Sequence, residues 1–470
     1  MSMLTKRTQI DAPEGPIFSK MITFVIPLML TNLIQQLYTV ADNVVVGKFS
    51  PDPTALGGIG STSAVIAFLT ALFASFSVGT AAINSHDFGK RDDDALSKGI
   101  HTSLLISLIV GGTVGFVGFT FARPILLMLD TNEAFLNSAI LYMRIRCVGI
   151  PFVAIYNSAA ATLRSVGDSR SPLYILTFSG LVNVLLNVLF VVGFGMSSDG
   201  VAYATLASQI LSVVFSLWLL MKDRSANYAV KLSLLKIDKI SAKRLLKFAI
   251  PGTIQGTVAN VMNVFLSAAT NSFGIGEIIE ARTVASNIDT ILSTVLATYT
   301  HVVITFVGQN RGAGKLDRVK KSILYAILQS VTVSVVLGQL LLLCRRPLVA
   351  LFVDSSVYNL EKILEYATVI MTIMLTSYTI TGFTTPLNGF LKGMGYALPS
   401  MVISLTDVCV VRVVWIFFLF KKVGTLGFLY FVYPVSWSFS AICYIVVSLI
   451  IWKKKKRELL RAGLDNVKNE

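Results

Sequence analysis

The sequence predicts an all-α polytopic membrane protein, with twelve transmembrane helices in two pseudo-symmetric six-helix bundles. Three observations predict it. Of the 470 residues, 54% are hydrophobic and 14% charged, with mean hydropathy +0.72; a soluble domain carries about a quarter charged residues. Apolar runs longer than about 18 residues, the length a helix needs to cross a bilayer, recur along the whole chain. And the chain repeats itself at a nearly constant offset. The short alternating strands of a membrane barrel are absent from the pattern.

Twelve segments read as spans: about 20–46, 55–84, 98–123, 133–160, 170–195, 199–222, 243–272, 280–308, 318–345, 357–388, 396–420 and 424–452. The longer ones exceed what a bilayer requires, so they tilt, kink or project. The polar N-terminal stretch MSMLTKRTQIDAPEGPIFSK lacks the apolar core and small-residue cleavage site of a signal peptide. Basic residues then alternate between the two sides. One side collects Lys6, Arg7, Lys90, Arg91, Lys98, Arg164 and Arg170. It also takes the eight Lys or Arg of 222–247, then Arg311, Lys315, Arg318, Lys320, Lys321 and the tail KKKKR at 453–457. The other holds Lys48, Arg123, Arg282, Arg345, Arg346, Lys421 and Lys422, thinly spread. The positive-inside rule makes the rich side cytoplasmic, with both termini on it and an even number of spans. The net charge of +15 is then orientation signal in short loops, and no nucleic acid is expected as a partner.

The repeat has three landmarks. FVIP at 24–27 returns as FAIP at 248–251. INSHDFGKRDDDALSK at 83–98 returns as FVGQNRGAGKLDRVKK at 306–321, and LRSVGDSRSP at 163–172 as LKGMGYALP at 391–399. The offsets are 224, about 224 and about 228. This divides the chain into an N-terminal half (1–222), a cytoplasmic linker rich in Lys and Ser (223–242), a C-terminal half (243–452) and a basic cytoplasmic tail (453–470). Six spans is an even number, so the halves share one orientation; parallel repeats about an axis along the membrane normal are a transporter architecture. Pro27 and Pro251 stand at matching positions inside the first and seventh spans, where each removes a helix hydrogen bond and favours a hinge.

Ionisable residues within spans carry the functional signal. An Asp at a helix centre costs roughly 2.5–3.5 kcal/mol to insert, so it normally faces protein or water and has a task. Asp42 lies toward the outer third of the first span, about two turns beyond Gln35, with Tyr38 between them. Asn183 and Asn187, four apart in the fifth span, share a helical face. Their carbonyl oxygens can ligate a hard cation; equally, asparagines on one face can simply join helices. The sixth span adds Thr205. In the C-terminal half, the seventh span has Gln255 and Asn260 but no acid, and the tenth has acids only at its start. That leaves Asp289 in the eighth span and Asp407 and Arg412 in the eleventh. Five residues apart, Asp407 and Arg412 are poor partners along one α-helical face, so Arg412 should line a cavity or pair across helices. Gln35, Tyr38, Asp289, Arg412, Gln255 and Asn260 form the candidate substrate cavity.

The stretches IPLMLTNLIQQLYTVADNVVVGKF, SVGTAAINSHDFGKRDDD, LYMRIRCVGIPFVAIYNSAAATLRSVGDSRSPLY, LVNVLLNVLFV, DGVAYATLASQ, ITFVGQNRGAGK and LNGFLKGMGYALPSMVISL, in that order and duplicated, resemble the MATE (multidrug and toxic compound extrusion) family along nearly the whole chain. The resemblance is to its bacterial, DinF-like and clostridial members. It implies efflux of amphipathic, often cationic drug-like compounds by proton or sodium antiport, from a monomer in the bacterial plasma membrane. It implies an ion site at Asp42, Asn183, Asn187 and Thr205, often completed by a backbone carbonyl that falls here on Val201, with Na⁺ or H⁺ as the ion and no other cofactor. The NorM-like C-terminal cation site, built on acids of the seventh and tenth helices, is missing its acids here.

Other classes fit less well. A lipid-linked precursor flippase of the wider superfamily is the alternative; it would want several inward arginines, and only Arg412, Arg144 and Arg146 are available. An enzyme would need clustered His or acids, and His86, His101 and His301 are scattered. No P-loop, HExxH or CxxC pattern points to ATP hydrolysis or a bound metal.

Overall fold

The computed structural model describes residues 10–353 and 359–468, the side chains of Asn260 and of 459–468 excepted. Described residues form helices and turns, with no strand among them. Twelve long helical segments follow in chain order. They are α1 Ile17–Phe49, α2 Ala55–Lys90, α3 Asp93–Thr120, α4 Glu133–Ser165, α5 Arg170–Val188 and α6 Ser198–Lys222. After the connector come α7 Lys239–Asn271, α8 Gly276–Gly312, α9 Leu316–Leu343, α10 Leu360–Gly393, α11 Ala397–Val423 and α12 Leu426–Glu458, the last of these continuing as helix to Lys468. Among the described residues, eleven of them, all but α7, are long and apolar enough to cross a membrane. The 33-residue α7 covers the seventh expected segment.

Several boundaries differ from the sequence pattern for a physical reason: the helices outrun their apolar stretches. α2 continues through the polar run Asn84–Lys90, where Asp87 is held by Arg244, and α4 continues through Arg164. α7 begins at Lys239, within the stretch expected to be linker; Asp238 starts it by accepting the Ser241 N–H at 2.8 Å. That backbone bond holds the Asp238 carboxyl below the usual carboxylate range. α11 is irregular, with π turns at Thr406–Val411 and Trp415–Leu419, and α5 ends in another at Leu189–Gly193.

The duplication is written in the backbone. The turn after α2 places Arg91 in the left-handed region (φ 58°), and the turn after α8 places Gly314 there (φ 72°). The turn after α4 has Gly167 at φ 90°, and that after α10 has Gly395 at φ 89°. Short helices not foreseen from hydropathy follow the third span of each half, Ala122–Met128 and Arg345–Phe352.

The chain divides into two compact units, 1–256 and 257–470. The first turns of α7 belong to the first unit. Asp87, almost fully buried near the end of α2, receives two hydrogen bonds from Arg244 of α7, at 2.8 and 2.9 Å. The connector is also tied down: the Lys231 N–H donates to His101 Nε2 at 3.0 Å, the Asp238 N–H to Thr102 Oγ1 at 3.0 Å and the Val230 N–H to the Leu220 carbonyl at 2.9 Å. Since His101 Nδ1 donates to the Ser97 carbonyl at 2.7 Å, the imidazole is neutral with its proton on Nδ1.

Helices approach closely where they present glycine, as expected inside a bilayer. On α3, a Cβ at Gly115 would lie 2.6 Å from the Cys147 carbonyl of α4. In the second unit, a Cβ at Gly389 of α10 would lie 2.8 Å from the Thr300 carbonyl of α8. α1 and α7 run unbroken through Pro27 and Pro251. Thr31 Oγ1 donates to the Pro27 carbonyl at 2.6 Å, one turn beyond the missing N–H. Pro151 in α4 and Pro386 in α10 are two further internal prolines.

Candidate functional site

α5 has two faces of opposite character. Leu181 and Leu185 are 60% and 69% exposed, while Asn183 and Asn187, offset by two residues from them, are 3% and 0% exposed. A helix turning 100° per residue puts these pairs on opposite sides. The amides therefore point into the first unit, toward α1 and α6.

There they meet Asp42. Asn187 Nδ2 donates to Asp42 Oδ1 at 2.6 Å and, less tightly, to Asn183 Oδ1 at 3.3 Å. Thr205 Oγ1 of α6 lies 3.5 Å from both Asp42 Oδ2 and Asn183 Nδ2 and 2.9 Å from the Val201 carbonyl one turn earlier. Four sequence-predicted residues from two helices thus gather around the Asp42 carboxylate of a third. Asn187 Oδ1 is buried with no hydrogen-bond donor. A buried amide oxygen without a donor costs about 1–3 kcal/mol, so Asn187 Oδ1 is open to a donor or a cation. Arg146 of α4 lies near enough to act on Asp42 electrostatically. Collected oxygens of carboxylate, amide, hydroxyl and backbone suit a hard monovalent cation, and the carboxylate alone suits a proton. Among the described residues no three His, Cys, Asp or Glu gather to hold a metal.

Tyr38, one turn before Asp42, packs its ring on Gly180 of α5, where a Cβ would fall 1.6 Å from Cζ, and donates to the Leu176 carbonyl at 2.5 Å. Gly180 is a site residue that hydropathy could not find; its signal is one small residue on the buried Asn face. Gly180→Ala should push the Tyr38 ring out and lower transport at least about tenfold, about 1.4 kcal/mol, in protein that still inserts. Transport assays on that variant and on Tyr38→Ala/Gly180→Ala, which should recover, check this. Gln35 is exposed two turns below Asp42, and Gln255 is half-buried on α7. Asn260 lies outside the described side chains.

Asp289 and Arg412 come together in the second unit. Tyr378 of α10 donates to Asp289 of α8. Arg412 of α11 lies 5.1 Å from the Tyr433 ring centroid and acts electrostatically on both Asp289 and Asp407. Residues 407 and 412, expected to be poor partners along one α-helical face, are separated by a π turn, and no ion pair joins them among the described residues. The i→i+5 repeat of a π turn brings residues five apart into line. Trp437 completes an aromatic wall, 4.9 Å from Tyr378 and 5.1 Å from Tyr433 between ring centroids. Tyr378 sits in a helix rich in Tyr and Thr, Tyr433 and Trp437 in an apolar one, and nothing in their spacing singled them out.

The MatE family profile matches twice, over residues 27–189 and 251–418, which is more than half of the chain. Two curated relatives from Bacillus subtilis are both named probable multidrug resistance proteins. YpnP is 26% identical over 66% of this chain and 68% of its own length. YoeA is 25% identical over 94% and 95%. A solved outward-facing multidrug resistance MATE family transporter of the MOP superfamily superposes with TM-score 0.87 at 19% identity, covering 96% of this chain and 99% of that one. The two matched stretches begin at Pro27 and Pro251, the landmark prolines of the repeat, and the chain belongs to the MatE family of multi-pass membrane transporters.

Proposed function

We propose that this protein exports drug-like, amphipathic and often cationic compounds by cation antiport, with Asp42, Asn183, Asn187, Thr205 and the Val201 carbonyl as the coupling site. The observation that carries the reading is the closure of three helices on Asp42, with Asn187 Oδ1 left without a donor. Relatives named for multidrug resistance support the substrate class. The ion, Na⁺ or H⁺, neutralises Asp42. A substrate that favours the state in which Asp42 is empty is then expelled as the ion enters, because coupling requires only that ion and drug prefer different conformations. Pro27, inside the same helix, is the proposed place where α1 changes shape. The protein works as a monomer, with both termini in the cytoplasm of a bacterial cell.

Dye efflux from inverted vesicles, with sodium and pH gradients imposed separately, tests this. One gradient should drive efflux and its collapse should stop it; indifference to both ends the antiport reading. Thr205→Val, which removes one of several ligands, should weaken the response to the driving ion several-fold without abolishing it, read as a rightward shift of the ion-dependence curve.

A further inference from the structure

The connector between α6 and α7 shows a surface that the proposed coupling site does not use. Leu232, Leu234, Ile237 and Ile240 are between 47% and 72% exposed, ahead of the seventh apolar stretch. Large apolar side chains grouped this closely form a patch, and an exposed patch marks contact with protein or membrane. Lysines interleave with them: Lys231, Lys236 and Lys239 are exposed, and Lys243 and Lys247 follow on the exposed face of α7. Leu245 and Phe248 are buried on that helix's other face. None of these five lysines enters an ion pair among the described residues. The two acids of the connector are already engaged, Asp223 by Ser225 and Asp238 by Ser241.

Anchors fix the level at which this surface lies. The Val230 N–H donates to the carbonyl of Leu220, within the last turn of α6. Exposed Trp218 stands beside it, its ring centroid 4.5 Å from Lys222 Nζ; an indole followed one turn later by a lysine is the composition of a membrane–water boundary. The Asp238 N–H is held by Thr102 of α3, a helix that starts at Asp93. At 1.5 Å per residue, that anchor lies about 13 Å toward the membrane from the polar end of α3. The connector is thus drawn up to headgroup depth.

We propose that residues 231–247 form a docking surface for anionic lipid headgroups, with Leu232, Leu234, Ile237 and Ile240 seated among the acyl chains and the five lysines on lipid phosphates. Apolar groups dipping inward while lysines stay among headgroups is the division an interfacial segment uses. A free phosphate would satisfy the lysines and leave the apolar four in water. A partner protein at this depth would have to lie inside the headgroup layer. Each lysine near an anionic surface adds about fivefold to the attraction. Because the connector is fastened to α3 and α6, such binding pins that end of the first unit to the bilayer. The surface is separate from Asp42, so it and the antiport reading stand or fall independently.

The test is hydrogen–deuterium exchange, read by mass spectrometry, on the full-length protein with one copy per lipid nanodisc. Discs of phosphatidylcholine alone are compared with discs enriched in phosphatidylglycerol. Amides of 232–237 should exchange at least about tenfold more slowly in the enriched discs, and high salt should remove the difference. Lys231→Gln/Lys236→Gln/Lys239→Gln should lose most of it with exchange elsewhere unchanged, since all three side chains are exposed. Leu232→Ser/Leu234→Ser should speed exchange in both kinds of disc. Equal exchange of the wild type in the two lipids overturns the proposal, as does slowing that survives the lysine substitutions. Slowing reproduced in detergent by inorganic phosphate assigns the lysines to a free anion and overturns it too, and slowing that needs two copies in one disc assigns the surface to a second chain instead.

Discussion

Asp42→Asn is expected to abolish ion-driven efflux while the protein reaches the membrane at its normal level. Asparagine keeps the shape and can still accept from Asn187 and Thr205, so the contacts at 2.6 and 3.5 Å survive in outline. What disappears is the charge. A neutral side chain is already in the state that ion binding would produce, and the two conformations can no longer be told apart by an ion. A ligand with equal affinity for both states shifts neither. The loss should exceed about a hundredfold in gradient-driven rate, about 2.7 kcal/mol, well beyond the several-fold effect expected at Thr205. The measurement is dye efflux from vesicles normalised to protein content. Wild-type efflux by the variant under either gradient would remove Asp42 from the coupling site.

Arg244→Ala should cause the largest loss of stability of any single substitution in the connector region. The Asp87 side chain is 3% exposed and Arg244 35% exposed. Removing the arginine strands a buried carboxylate with only His86 beside it, at 3.1 Å. Stripping one partner from a buried pair costs about 3–5 kcal/mol; the exposure of Arg244 to water places this case at about 3. The converse change, Asp87→Asn, should cost less, because Arg244 can turn outward. The double variant should recover much of the loss, since the penalty lies in the uncompensated charge. Unfolding midpoints of the purified single and double variants decide it; strict additivity would contradict the argument.

How legible this was differs from residue to residue. Asp42 announced itself because an acid in an apolar run has few innocent explanations. Asn183 and Asn187 were visible as a pair, and their placement on one face followed from spacing alone. Whether that face meets Asp42 did not, because spacing within a helix says nothing about which neighbour it packs on. The geometry between Asp407 and Arg412 was hidden for a different reason. The spacing argument assumes 3.6 residues per turn, and a π turn has no sequence signature strong enough to override it. Arg244 was hidden in plain sight. One of eight basic residues in a segment read as orientation signal, it is distinguished only by a long-range partner, Asp87, in a run noticed solely for its repetition. Helix ends were least legible, since hydropathy stops where the apolar residues stop while the hydrogen-bonded helix continues.

The tethered connector has a consequence for chain entropy. Between Asp223 and Lys239 the chain is fastened at Asn227, Val230, Lys231 and Asp238. The slack that a linker of this length would have as a free coil is therefore largely gone, and lengthening a loop costs only about 0.6 kcal/mol per doubling when its ends stay fixed. An insertion of Gly and Ser within the exposed turn Leu232–Leu234 lengthens a loop already closed at both ends. The same insertion between Val230 and Lys231 pulls apart two adjacent anchors. The two positions, three residues apart, should differ sharply in the yield of folded protein. The connector thus behaves less like a leash between two bodies than like a stitched hem on one of them.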